Sequence, residues 1–165
     1  MRIETDRLTL RALTRDDAAS IVAGDRSGQS WAEDYPTAGD IRIGAFALEG
    51  NVAFVTEEAP WGLFVVVERS SGLAIGGIGF KSSPNGRGEV EIGYGICDSF
   101  QGLGVATEMV IAICAFARGG ARVVLAETER TNVASQRVLE KAGFRSIELS
   151  DELIGWRKEL AESVP

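Results

Sequence analysis

The 165-residue sequence contains no histidine. This excludes Ser-His-Asp and Cys-His nucleophilic mechanisms and histidine-ligated metal sites. Cysteine is scarce. Cys97 and Cys114 lack metal-type spacing and sit in apolar stretches, so both read as buried, reduced thiols. Basic residues are in the minority, and the net charge of −7 denies nucleic acid the basic surface it needs. The same acidic balance suits a cationic partner such as an amine. Long apolar runs are missing as well. The longest, over residues 109–117, is too short to span a bilayer. The first residues are charged where a signal peptide needs an apolar core, so a cytoplasmic protein without a membrane partner is expected.

What is present reads as one globular domain over residues 1–165, with 45% apolar and 25% charged residues. Residues 7–13 alternate apolar and polar side chains, as a half-buried strand does. Thr14 can cap a helix running to about Ala23, with Asp16 and Asp17 in its first turn. Residues 24–40, rich in Gly, Ser, Asp and Pro, predict a loop or broken helix, and residues 41–48 a short helix. Strand patterns follow over 62–69, 73–81 and 89–97, separated by turn-type clusters. Helix (104–118), strand (122–127), helix (132–142), strand (144–149) and a last strand (153–160) complete the chain. Strands first and alternating units later predict an α/β fold with a mixed, mostly antiparallel central sheet flanked by helices.

The segment Gln101-Gly102-Leu103-Gly104-Val105-Ala106-Thr107 lies where a strand turns into a helix. The first N–H groups of a helix lack internal partners, and the helix dipole adds partial positive charge, so this turn can cradle an anion such as phosphate. The P-loop pattern is absent. The dinucleotide pattern Gly-x-Gly-x-x-Gly fails because Thr107 and Asp98 stand at its third glycine position in the two candidate stretches. A nucleotide-dependent oxidoreductase is disfavoured accordingly.

The remaining pattern, Gln101-x-x-Gly104-x-Ala106, resembles the acetyl-coenzyme A signature of the GNAT-type N-acetyltransferases. Glu91-Ile92-Gly93-Tyr94 before it and the block from Asn132 to Phe144 after it are similar to further conserved segments of that family. Thr5-Asp6-Arg7-Leu8-Thr9-Leu10-Arg11 resembles the first strand of its ribosomal-protein (Rim-type) N-terminal acetyltransferase branch. The resemblance implies acetyl-CoA as cosubstrate, no metal, and an amine acceptor that is a peptide N-terminus or a small molecule. It implies that the pyrophosphate meets backbone N–H groups between Leu103 and Thr107. The pantetheine would pair with backbone near Gly95, Ile96 and Cys97 and touch Asn132, and Ser135 would stand near the sulfur. Arg137 and Lys141 could approach coenzyme phosphates. Trp31 and Tyr35 fall in segments that line the acceptor pocket of relatives. Dimerisation is common in that branch, and the residues leave the oligomeric state open.

Acetyl transfer to an amine needs a base, because the free ammonium has a pKa of about 10.4 for a lysine-type amine and about 8 for an α-amine. Without histidine, a carboxylate or water must serve. Glu91 is the candidate base, acting directly or through water, and Ser135 the candidate partner of the leaving thiolate. Many relatives use a tyrosine after the second block as general acid, but the only tyrosines here are Tyr35 and Tyr94. That departure keeps open the alternative of a non-catalytic acyl-CoA-binding module on the same fold.

Overall fold

A computed structural model describes residues 1–160. Eight strands form one sheet: β1 (Arg2–Glu4), β2 (Leu8–Ala12), β3 (Leu63–Glu68), β4 (Ala74–Phe80), β5 (Glu89–Ile96), β6 (Val123–Glu129), β7 (Arg145–Glu148) and β8 (Leu153–Glu159). Their spatial order is β1-β2-β3-β4-β5-β6-β8-β7. Among the described residues β5 and β6 are the only parallel pair, so the sheet is mixed and mostly antiparallel, as the strand pattern predicts.

Four helices cover the two faces: α1 (Arg15–Ala23), α2 (Ala38–Leu48), α3 (Val105–Ala117) and α4 (Val133–Lys141). α1 and α2 pack together on one face, where Arg11 of β2 pairs with Asp17 and Gly77 of β4 meets Asp40. α3 lies on the other, with Phe116 against Phe64 and Phe80. α4 joins it there through Leu139, which is fully buried. Period-2 strands flanked by helices bury one continuous apolar core, from Leu8 and Leu10 through Phe64 and Phe80 to Met109, Ile113 and Leu139.

Two elements depart from the sequence reading. β1 is three residues long and carries Arg2 and Glu4, too short and too charged to show a pattern. α2 starts at Ala38 rather than near 41, because Thr37 and Asp40 form a capping box that overrides the Pro and Gly around them. Although its sequence is apolar all round, α3 leaves Ile111 about half exposed.

Candidate active site

β5 is where the sheet opens. Against β4 it pairs from Ile92 to Ile96, but against β6 only Glu89, Val90 and Glu91 have partners. The Lys81 N–H donates to the Glu91 carbonyl, and the Cys97 N–H to that of Ile75. Antiparallel ladders alternate, so odd-numbered residues of β5 turn their backbone groups to β4. Those of Tyr94 and Ile96, beyond the last pair with β6, face the gap. Ile96 is thus available to a pantetheine arm. Cys97 must be corrected. It is 1% exposed, and both its N–H and its thiol donate to the Ile75 carbonyl at 2.9 Å. Burial pushes that thiol up to about 11, which leaves it a poor nucleophile.

The glycine turn follows at the open end. Gly102 and Gly104 have φ of 74° and 76°, left-handed values that a side chain would strain. None of the N–H groups of Leu103, Gly104, Val105, Ala106 and Thr107 donates to an acceptor among the described residues; the first helical bond is Glu108 N–H to Gly104 O. Val105 buries its side chain while its amide stays at the helix end, and Leu103 points outward. The Gln101 side chain donates to Asp98 Oδ1 at 2.8 Å, so it braces the turn.

Arg7 holds this loop from below. Its Nη1 donates to the Leu103 carbonyl at 2.8 Å and its Nε to Glu108 Oε2 at 2.7 Å. Glu108 also accepts from the Thr5 hydroxyl at 2.6 Å and from the Arg7 N–H. Burial alone would push the Glu108 carboxyl up, but these bonds outweigh it and hold it below its ordinary value. Arg7→Ala removes the brace without touching the anion site, so acetyl-CoA affinity is expected to fall by roughly 5- to 10-fold, the loss of one charged hydrogen bond. Calorimetric titration checks this, and unchanged affinity would reject the bracing role.

The opening leads into a cavity of about 480 Å³ between β5, the glycine turn and α4. Gln101, Gly102, Gly104, Ala106 and Thr107 line one side, with Asn132, Ser135, Arg137 and Lys141 on the other. The Asn132 side chain caps α4 by accepting from the Ser135 N–H at 3.1 Å. The Tyr94 hydroxyl crosses the gap and donates to the Ser135 carbonyl at 3.2 Å. Burial pushes that phenol up to about 12.

A second cavity, about 250 Å³, lies on the α1–α2 face. Its wall is mostly apolar, with Tyr35, Asp40, Arg42 and Lys81 as the polar side chains. Tyr94 and Gly95 line both cavities, so the two meet at β5. Tyr35 lines this cavity, and Trp31 does not. The Trp31 backbone bridges to Ala74 and its ring packs edge-on against Tyr35 at 5.6 Å, behind the wall. Glu91 sits on the same strand face as Gly93 and Gly95, ion-paired with Lys81, which reaches toward Glu127 at 3.9 Å. Sequence reasoning missed Asp40 and the double position of Tyr94. The Thr37-x-x-Asp40 spacing was the available signal for Asp40.

A strand edge thus opens beside a helix start with unpaired N–H groups, and a second cavity lies behind the same strand. The chain belongs to the acetyltransferase (GNAT) family, whose domain model matches residues 7–145. It is 30% identical over 95 residues to YjdG of Bacillus subtilis (strain 168), an uncharacterized N-acetyltransferase; the match spans 56% of each chain, about half that relative's length. In fold it is similar to RimL, a ribosomal L7/L12 α-N-protein acetyltransferase solved with coenzyme A (TM-score 0.72, 16% identity, 99% of this chain and 100% of that one). It is likewise similar to a Salmonella typhimurium acetyltransferase that modifies the N-terminal serine of ribosomal protein L7/L12 (TM-score 0.68, 17% identity, 97% and 99%). At these identities the likeness to the solved structures is one of fold.

Proposed function

We propose that the chain is an acetyl-CoA-dependent N-acetyltransferase that moves the acetyl group to a primary amine by direct attack in a ternary complex. The observation that carries this reading is the meeting of two cavities at Tyr94 and Gly95. A donor in one and an acceptor in the other would touch across a single strand. Coenzyme A suits the first cavity: five unpaired N–H groups for the pyrophosphate, free strand groups for the pantetheine amides, and Arg137 and Lys141 as nearby cations.

In this reading Glu91, through a water, takes a proton from the amine. The free N–H groups of the open strand polarise the thioester carbonyl. The new N–C bond replaces the C–S bond, and Ser135 supports the departing thiolate until it is protonated. With acetyl-CoA at about 100 times its dissociation constant, the fold is expected to gain about 2.7 kcal/mol. That raises the melting temperature by roughly 5–10 °C for a chain of this size. An unmoved melting curve would sink the proposal. Turnover of an amine panel, lost in Ser135→Ala, separates an enzyme from a non-catalytic acyl-CoA-binding module.

A further inference from the structure

We propose that Asp40 recognises the acceptor, and that the acceptor is a compact primary amine with one positive charge and an apolar body. This deepens the reading above and rests on it.

The molecule contains an internal comparison. Thr14 and Asp17 open α1 with a capping box, and Thr37 and Asp40 open α2 with the same one. In α1 the carboxylate is neutralised, because Arg11 donates to Asp17 Oδ2 at 2.7 Å and to Oδ1 at 3.0 Å. In α2 no cation pairs with Asp40 among the described residues. Asp40 Oδ2 accepts from the Thr37 N–H at 2.9 Å and from the Thr37 hydroxyl at 2.6 Å, which completes the cap. Oδ1 has no hydrogen-bond partner among the described residues.

Asp40 is only 7% exposed. A carboxylate in apolar surroundings is costly unless it is paired. Every fully enclosed side-chain polar atom among the described residues has a partner, so Oδ1 must reach open space. That space is the 250 Å³ cavity that Asp40 lines. Gly77 makes the room, since a Cβ there would stand 2.7 Å from Oδ1. Burial also pushes the carboxyl up, and an ammonium on Oδ1 would bring it back down.

Position ties this oxygen to the transfer. Gly77 pairs directly with Gly95, and the Thr37 hydroxyl lies 3.9 Å from where a Gly95 Cβ would be. Gly95 borders both cavities. An ammonium on Oδ1 therefore waits one strand spacing from the junction. Leu13, Ile21, Ile43, Leu63 and Val65 supply the apolar wall for the rest of the amine. The volume falls below the roughly 300–1,000 Å³ usual for ligand sites, which favours a small molecule over a peptide. Arg42 at the lining repels a second positive charge and so selects against polyamines.

The test is calorimetric titration of 2-phenylethylammonium into coenzyme A-saturated protein, beside the uncharged 2-phenylethanol. Wild type should bind the ammonium at least tenfold more tightly than the alcohol. Asp40→Asn keeps an oxygen for the cap and should weaken ammonium binding by roughly 30-fold or more, as expected when one partner of a desolvated ion pair is lost, with acetyl-CoA affinity unchanged. Equal binding of ammonium and alcohol overturns the proposal in wild type alone, whatever the variant does. Unaltered ammonium binding in Asp40→Asn overturns it as well, and so does preferred acetylation of spermidine or a serine-led hexapeptide. If acetyl-CoA itself fails to bind, the acetyltransferase reading falls, and the same titration on the coenzyme-free protein still decides the role of Asp40.

Discussion

Glu91→Gln is expected to lower kcat by roughly 10²- to 10⁴-fold, the range for loss of a positioned base. The substitution keeps size and hydrogen bonding and removes only the proton acceptor. Lys81, the partner of Glu91, keeps Glu127 at 3.9 Å, so the strand pairing survives. KM for acetyl-CoA should hardly move, because Glu91 lies at the closed end of the gap, away from the glycine turn. The pH–rate profile discriminates: a base leaves its limb in the wild-type curve and not in the variant. An identical profile in both would remove Glu91 from the chemistry and leave it an ion-pair partner only.

The second large effect is structural. Gly76→Ala should destabilise the fold by about 3 kcal/mol, the upper part of the range for overpacking. A Cβ at Gly76 would overlap the Gly95 carbonyl oxygen and lie 3.0 Å from Ile96 Cα. Both neighbours are backbone and cannot rotate away. The expected fall in melting temperature is roughly 6–12 °C for a chain of this size. Relief would require β5 to move toward the gap, which narrows the coenzyme cavity and weakens acetyl-CoA binding too. Gly93→Ala is the control, since nothing lies within 4 Å of its Cβ position. Equal melting of Gly76→Ala and wild type would refute the packing argument.

Much of this was legible in residue order. The capped α1, the three-strand meander and the turn at Gly102 and Gly104 follow from local patterns that tertiary packing did not override. The unpaired helix start was readable because it is a matter of backbone, set by glycine placement. The acceptor side was not. Asp40 looked like the end of a polar loop, because the capping box follows Pro36 and contains Gly39, both usually loop signals. Trp31 and Tyr35 looked equivalent in sequence, and only the bridge to Ala74 decides which of them reaches the cavity. The family resemblance took Gly95, Ile96 and Cys97 together, but alternation along a strand turns neighbouring residues to opposite partners.

The parallel contact of β5 with β6 spans three residue pairs and then stops. Without a donor bound, the amides of Tyr94 and Ile96 belong to a seam that water can enter. In hydrogen-exchange measurements they should exchange early, while the amides on the β4 side stay slow. The cosubstrate would then act as a missing stretch of strand, closing the seam from within. Protection factors at these two positions would report occupancy directly.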